Sequence, residues 1–221
     1  MSQGFPERYH SRVLANQPVC DTAYELIIDR AGLEFQAGHE IMIHGDAPEE
    51  DRQYSIASGV EDEHLHILYR IIPDGLMTPK LKKKQPGDSI EFTGAIGNFL
   101  IRNSSAPIVF IATGTGVAPT ACFVRSHPGI KLTLLHGVRQ VEDLFYDELF
   151  KPYHYEPCIS GDAPGRYFHG RVTDRLANSS FSDDTHYYLC GSNDMILEIR
   201  SMLKNREVPD NQIFTEAYFF W

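Results

Sequence analysis

The chain has 221 residues, with 20 Lys and Arg against 30 Asp and Glu, so its formal net charge is −10. This acidic balance argues against a general nucleic-acid binder, and 13 Phe with 11 Tyr are too many aromatic residues for a disordered chain. No charge-poor apolar run approaches the roughly 18 residues that a membrane span needs. The first residues, MSQGFPERYHSRV, lack the apolar stretch of a secretory signal, so we expect a cytoplasmic protein without membrane partners.

The four cysteines are far apart, at Cys20, Cys122, Cys158 and Cys190, and none lies in a C-x-x-C pair. Zinc sites and iron–sulfur clusters need thiolates at short spacing, so we expect no metal and four free thiols. Any electron chemistry must then come from a bound organic cofactor or from a partner protein.

Up to residue 103 the sequence predicts short strands separated by turns. The predicted strands are 12–19, 23–29, 40–44, 53–57, 64–72 and 89–92. Pro and Gly mark the turns between them, as in Pro73-Asp74-Gly75. This spacing favours an antiparallel barrel or sandwich.

After residue 103 helices alternate with strands. The predicted strands are 108–112, 131–135 and 187–190, and the predicted helices are 117–124, 144–150, 172–177 and 194–205. Such alternation indicates a parallel sheet with helices on both faces. We therefore expect a β plus α/β protein, with a β-barrel domain at 1–103 and an α/β nucleotide-binding domain at 104–221.

A glycine-rich turn, Thr113-Gly114-Thr115-Gly116-Val117-Ala118-Pro119, follows the apolar strand 108–112 and opens a helix. Glycines there let the backbone approach a pyrophosphate at the helix N-terminus. Pro119 occupies the place of the third glycine in G-x-G-x-x-G, so the dinucleotide fingerprint is only partly met. A tight strand–helix turn without a ligand has the same pattern.

Two further segments suit a phosphate-bearing aromatic cofactor. Arg52-Gln53-Tyr54-Ser55 combines a cation, a flat ring and a hydroxyl on one predicted strand, although an ordinary strand with polar residues is the simpler interpretation. Gly75-Leu76-Met77-Thr78 opens a short helix whose N–H groups and Thr hydroxyl suit a phosphate, and a capped helical turn is again the simpler interpretation.

Three other features stand out in the sequence. A cationic cluster, Lys80, Lys82, Lys83 and Lys84, is either a solvated face or a docking patch for an acidic partner. Cys190 ends a late strand just before a helix, where ligands of α/β sheets bind. The chain finishes on Tyr218, Phe219, Phe220 and Trp221, an aromatic tail that we expect to stack on protein or on a planar ligand.

Taken together and in this order, the motifs resemble those of the ferredoxin–NADP+ reductase family of flavoenzymes, and the bacterial members in particular. The matching segments are 52–55 (R-x-Y-S), 75–78 (G-x-x-[S/T]), 94–99 (G-P-x-G-x-F, with Ala95 for Pro), 113–119 (G-T-G-[IV]-A-P), 188–195 (Y-x-C-G-x-x-x-M) and 216–218 (E-x-Y). The resemblance covers nearly the whole chain.

The resemblance implies FAD in the barrel, a pyridine nucleotide on the second domain, and hydride transfer between nicotinamide C4 and flavin N5. The implied flavin-site residues are Arg52, Gln53, Tyr54, Ser55, Tyr69, Arg70, Ile71, Gly75, Leu76, Met77, Thr78, Thr115, Tyr218 and Trp221. The implied nucleotide-site residues are Thr113, Gly114, Gly116, Val117, Pro119, Arg139, Ser160, Arg166, Arg171, Cys190, Gly191 and Met195.

The resemblance also implies the catalytic residues. Tyr54 and Tyr218 would cover the two faces of the flavin ring, and Tyr218 would move to admit nicotinamide. Ser55 would hydrogen-bond near flavin N5, while Cys190 and Glu216 would line the transfer site.

The absence of clustered cysteines implies a separate electron acceptor, such as an acidic ferredoxin or flavodoxin docking on the lysines. NADPH is favoured over NADH because Ser160 and the three arginines remain, although Gly161 and Asp162 replace the S-R-E arginine and glutamate of NADP-specific members. The alternatives are an NADH-dependent reductase component of an oxygenase, or a flavin-free nucleotide-binding sensor.

Overall fold

The computed structural model describes residues 7–162 and 165–218. The chain divides into two compact units that alternate along the sequence. The first unit comprises residues up to 100 together with 118–128, and the second comprises residues 101–117 and those from 129 onwards.

The first unit is a six-stranded antiparallel sheet that nearly closes into a barrel, as the sequence predicts. Its elements are β1 (Glu7–Cys20), β2 (Ala23–Asp29), β3 (Glu40–Ile43), β4 (Arg52–Ser55), β5 (His64–Arg70), α1 (Thr78–Lys83), β6 (Ser89–Ile96) and α2 (Ala118–Ser126). The strand order is β4-β3-β6-β1-β2-β5, and every neighbouring pair is antiparallel. The two end strands, β4 and β5, lie close together.

Alternating apolar side chains build the interior of the barrel. Leu26 and Ile28 of β2, Ile41 of β3, Ile67 of β5 and Phe92 of β6 are completely buried. Each is flanked in sequence by at least one less buried residue, which is the period-two pattern of a half-buried strand. Burial of this one face fixes the register of the strands.

Helix α2 packs within the first unit although it follows the first strand of the second. The guanidinium Nη1 of Arg125 donates to the Ala57 carbonyl at 2.5 Å, and the Ser126 hydroxyl accepts from the Val60 amide at 3.0 Å. The ring of Phe123 lies 6.3 Å from that of Phe99. These bonds and this ring contact hold the helix to the barrel.

The second unit is a six-stranded parallel sheet with helices, which confirms the predicted class. Its elements are β7 (Ile108–Thr113), β8 (Leu132–Val138), α3 (Asp147–Phe150), β9 (His154–Ile159), β10 (Phe168–His169), α4 (Val172–Ala177), β11 (His186–Ser192), α5 (Asn193–Asn205) and β12 (Ile213–Tyr218). The strand order is β10-β9-β8-β7-β11-β12, with all pairs parallel.

The order of strands in this sheet reverses between β7 and β11. The chain runs from β7 outward through β8 and β9 to β10, and then returns to the other side of β7 as β11. Open α/β sheets bind ligands beyond the carboxyl ends of the strands at such a switch point. Thr113 and Ser192 end the two strands there.

The structure corrects the predicted helix 144–150. A 3-10 turn covers Val141–Asp143, and α3 covers only Asp147–Phe150. Tyr146 lies in the left-handed region, with φ of 58°, and a helix cannot continue through that conformation. Strands β9, β10 and β12 were not predicted, and the other elements differ from prediction by a few residues at their ends.

No helix within the described residues is long and apolar enough to cross a membrane.

Candidate functional site

Strand β4 carries the Arg52–Ser55 motif and leaves a buried polar atom without a partner. The Tyr54 hydroxyl is buried and has no hydrogen-bond partner among the described residues. Its ring meets the ring of Tyr69 edge-on, with centroids 6.4 Å apart. Burial raises the pKa of Tyr54, so the hydroxyl stays a neutral donor. A buried donor without an acceptor is costly, and a polar cofactor group bound there would satisfy it.

Local hydrogen bonds anchor the other residues of this strand. Arg52 donates from Nη1 to the carbonyls of Glu49 at 2.7 Å and Asp51 at 2.8 Å. Ser55 is 3% exposed. The Tyr69 hydroxyl donates to Asn16 Oδ1 at 2.9 Å, which fixes the ring that packs against Tyr54.

A salt bridge ties the segment before β4 to the 75–78 segment. Lys80 Nζ lies 2.5 Å from Asp46 Oδ2 and 2.7 Å from Glu50 Oε2. Asp46 and Glu50 precede β4, whereas Lys80 lies in α1 shortly after Thr78. The two segments that the sequence assigns to flavin are therefore neighbours in the first unit.

The Thr78 side chain closes the turn that precedes α1. Its hydroxyl accepts from the Ile72 amide at 2.9 Å and lies 3.3 Å from the Ile72 carbonyl. The hydroxyl that the sequence assigns to a phosphate thus already bonds to the backbone of its own turn. Of the other predicted flavin residues here, Met77 is buried and Leu76 is 48% exposed.

The glycine turn connects the ends of β7 and β11. A 3-10 turn over Gly114–Val117 follows β7 and leads into α2. Gly114 has a φ of 53°, and a Cβ at Gly116 would lie 2.5 Å from the Cys190 carbonyl oxygen. Thr113 Oγ1 accepts from the Ser192 amide at 3.1 Å, which joins the two strand ends.

Cys190 and Glu216 face each other across β11 and β12. They are register partners in these parallel strands, and Cys190 Sγ lies 3.6 Å from Glu216 Oε1. Cys190 is 1% exposed and Glu216 is 8% exposed. Tyr218 ends β12 opposite Ser192, and Trp221 lies outside the described residues.

The predicted adenosine-side residues lie beyond β8 and β9. Arg139, Ser160, Arg166 and Arg171 are all exposed. The guanidinium of Arg166 lies 4.8 Å above the ring of Tyr167, and the Arg171 amide donates to Asp174 Oδ2. A Cβ at Gly161 would lie 2.5 Å from the Arg139 carbonyl oxygen, so this backbone leaves no room for an arginine there.

The remaining predicted residues lie in the interior. Val117, Pro119 and Met195 are buried, and Gly191 has a φ of 133° beside Thr113. They support the turn around the strand ends.

His136, a completely buried residue in β8, was not predicted from the sequence. Its Nε2 lies 3.0 Å from the carbonyl oxygen of Gly114, and its Nδ1 lies 3.2 Å from the Tyr155 hydroxyl. Burial lowers the pKa of His136 to about 4, although the Gly114 carbonyl and the Asp143 carboxylate act the other way. A single polar residue in an otherwise apolar strand was the signal that pointed to it.

The barrel with its unsatisfied tyrosine, and the parallel sheet with a glycine turn at its switch point, define a two-cofactor redox protein. Residues 19–101 match the family described as the oxidoreductase FAD-binding domain. Residues 110–201 match the oxidoreductase NAD-binding domain. The chain belongs to the FAD- and NAD-binding oxidoreductases with the ferredoxin–NADP+ reductase fold.

Several known proteins are similar to this chain. One of the polypeptides of the Na(+)-translocating NADH-quinone reductase of Klebsiella pneumoniae is 26% identical, over 76% of this chain and 48% of its own length. The electron transfer component of 2-halobenzoate 1,2-dioxygenase from Burkholderia cepacia is 25% identical, over 88% of this chain and 62% of its own. The chain thus spans about half to three-fifths of these two relatives.

A solved structure agrees in fold over nearly the whole chain. A ferredoxin NADP+ reductase from Neisseria gonorrhoeae, with bound FAD and NADP, superposes with a TM-score of 0.87. It is 21% identical, and the match covers 96% of this chain and 99% of that one.

Proposed function

We propose that the protein oxidises a reduced nicotinamide nucleotide with the help of bound FAD and passes the electrons to a separate one-electron carrier, such as a ferredoxin or flavodoxin. The observation that carries this proposal is the pairing, in one chain, of a flavin-type barrel with a nucleotide-type sheet. The two relatives, one from an NADH-quinone reductase and one a dioxygenase electron transfer component, also support electron transfer.

FAD fits the residues of the first unit. The Tyr54 hydroxyl needs an acceptor, and Arg52 lies two residues away with a guanidinium suited to phosphate. Tyr54 would stack on the flavin ring and Ser55 would hydrogen-bond to it. The 75–78 turn, held by Thr78 and by the Lys80 salt bridge, would bind the pyrophosphate.

The nucleotide fits the carboxyl ends of β7 and β11. Gly114 and Gly116 would let the backbone approach its pyrophosphate, because Gly116 has no room for a side chain. Bound FAD supplies the chemistry: it accepts a hydride from nicotinamide C4 at flavin N5 and releases electrons singly.

Cys190 and Glu216 are proposed to line the nicotinamide position. Their side chains are buried together, so they can exclude water and fix the orientation of the ring. Tyr218, at the end of β12, is proposed to cover the flavin until nicotinamide arrives.

The proposed docking patch is smaller than the sequence suggests. Lys80 is engaged by Asp46 and Glu50, and Lys84 Nζ donates to the Ser89 carbonyl at 2.8 Å. Lys82 and Lys83 are the exposed members of the cluster. We propose that these two lysines attract an acidic carrier.

The choice of nucleotide has arguments on both sides. Ser160, Arg139, Arg166 and Arg171 favour NADPH, since a hydroxyl and cations suit a 2′-phosphate. NADH is the second candidate, as for a reductase component of an oxygenase. It is favoured by Gly161, which leaves no room for an arginine, and by the exposed carboxylate of Asp162. A carboxylate there repels a phosphate and accepts hydrogen bonds from ribose.

One series of measurements tests the proposal. The purified protein is expected to be yellow, to release FAD on heating, and to reduce ferricyanide with NADPH or NADH. Reduction of a ferredoxin and of a flavodoxin is then compared. A protein that binds no added flavin contradicts the proposal, whereas ferricyanide reduction without reduction of either carrier contradicts only the proposed partner. The ratio of kcat/KM for the two nucleotides decides between NADPH and NADH.

A further inference from the structure

His136 is the one histidine of the described chain that is completely buried inside the parallel sheet. It lies in β8, paired with Ala112 of β7, and reaches the first residue of the glycine turn. Its two ring nitrogens have two different partners, Gly114 and Tyr155. A polar side chain in this position is expensive unless its hydrogen bonds are complete.

The partners determine which nitrogen carries the proton. A carbonyl oxygen only accepts, so Nε2 of His136 must carry the hydrogen that it donates to Gly114. Neutral imidazole then has a bare Nδ1, which accepts from the Tyr155 hydroxyl. Burial raises the pKa of Tyr155 and lowers that of His136, so both groups keep these roles around neutral pH. The result is a chain of two hydrogen bonds from Tyr155 to Gly114.

The bond to Gly114 also sets the direction of the next amide. In a trans peptide the carbonyl and the following N–H point in opposite directions. The Gly114 carbonyl points to His136, so the Thr115 N–H points away from it. Thr115 is the second residue of the helical turn, where N–H groups have no acceptor within the helix.

Gly114 needs such a restraint because its backbone is unusually free. It has a φ of 53°, and nothing lies within 4 Å of the place where a Cβ would be. Glycine populates both signs of φ at little cost, so this peptide has no steric barrier to other orientations. The imidazole supplies the restraint that side-chain packing does not.

We propose that His136 is a positioning residue that holds the Gly114–Thr115 peptide with its N–H group presented to the phosphate of the bound nucleotide. Tyr155 supports it by fixing the imidazole tautomer. The inference rests on the proposed nucleotide site at this turn, and it assigns to His136 no contact with nucleotide or flavin.

Two amide substitutions separate positioning from mere filling of space. His136→Gln keeps an N–H group at the reach of Nε2, whereas His136→Asn reaches only as far as Nδ1 and loses the bond to Gly114. Binding of NADP+ and NAD+ to the FAD-loaded protein is measured by isothermal titration calorimetry. We expect His136→Asn to weaken the tighter nucleotide about tenfold and His136→Gln to stay within about threefold of the wild type.

FAD content and the limiting rate of ferricyanide reduction are read in parallel, and both are expected to stay unchanged. His186→Asn is the matched control, because His186 starts β11 at the opposite, amino end of the sheet. Its nucleotide affinity is expected to equal that of the wild type.

Tyr155→Phe gives an independent measurement if His136→Asn fails to fold. It removes the donor to Nδ1 and is expected to weaken nucleotide binding about threefold, with unchanged FAD content. Wild-type affinity in either His136→Asn or Tyr155→Phe overturns the inference, and so does an equal loss in His136→Asn and His136→Gln. Absence of nucleotide binding in the wild type would instead refute the proposed function, and the inference with it.

Discussion

At the scale of single residues, His136 couples stability to pH. Its pKa is about 4 in the folded protein, against about 6.5 in an unfolded chain, because burial disfavours the charged ring. The unfolded state therefore binds the proton more tightly. The free energy of unfolding is expected to fall as the pH is lowered from about 6.5 to 4, by up to roughly 3 kcal/mol from this group.

The measurement is urea unfolding of wild type and His136→Gln at several pH values. The variant is expected to be less stable at pH 7 and to lose less stability on acidification, since glutamine does not titrate. Parallel pH profiles for the two proteins would assign the acid sensitivity to other groups.

Tyr54 gives a second prediction at this scale. Its buried hydroxyl lacks a partner in the described structure, so Tyr54→Phe removes an unsatisfied donor. The apoprotein is expected to gain about 1 kcal/mol of stability, while FAD binds up to about tenfold more weakly. Thermal unfolding of the apoprotein and FAD titration measure the two effects. A less stable apoprotein with unchanged FAD affinity would show that the hydroxyl serves the fold alone.

At the scale of elements, the glycine turn after β7 allows a matched pair of substitutions. Gly116→Ala places a Cβ 2.5 Å from the Cys190 carbonyl and must displace β11. It is expected to cost about 1–3 kcal/mol, as overpacking does. Gly114→Ala meets no atom within 4 Å, and only its φ of 53° is unfavourable, at about 1–2 kcal/mol. Chemical unfolding curves compare them, and nucleotide affinity is expected to fall more with Gly116→Ala. The reverse order would mean that β11 yields easily.

Most elements could be predicted from periodicity, and the exceptions have local causes. Strand β9 contains Pro157, which argues against a strand in the middle of a sheet. The structure accommodates it because β10 pairs with β9 only at Cys158 and Ile159, beyond the proline. Two-residue β10 is too short to leave a pattern, and β12 has the composition of an aromatic tail rather than of an alternating strand.

The site was predictable where residue type and local motif carry the chemistry. Arg52, Tyr54, Gly116 and Cys190 were identified because each lies in a contiguous segment. The bond from His136 to Gly114 was not, because it joins residues 22 positions apart through the pairing of β8 with β7. For the same reason the sequence could not show that Lys80 is bonded to Asp46 and Glu50.

At the scale of the whole molecule, the charge distribution makes a prediction about the carrier. The chain has a net charge of −10, so exposed Lys82 and Lys83 are local exceptions on an acidic protein. Attraction of an acidic carrier to them is expected to weaken as salt screens the charges. The rate of carrier reduction by the wild type should therefore fall steeply with ionic strength. A Lys82→Glu, Lys83→Glu double variant should be slower, with a shallower slope.

The matched control is Lys80→Met, since the Lys80 charge is already compensated within the protein. It is expected to keep the wild-type salt slope while loosening FAD, because the bridge joins the two flavin segments. Identical salt slopes for the wild type and the double variant would place the docking surface elsewhere.

The alternation of the two units along the chain limits how the protein can be divided. Because α2 belongs to the first unit and follows β7 of the second, no single cut releases either unit intact. A fragment ending at residue 103 would lack Phe123, Arg125 and Ser126, and with them the bonds to Ala57 and Val60. Exchange of cofactor domains with a relative would therefore have to graft two separate stretches, residues up to 100 and 118–128, rather than one.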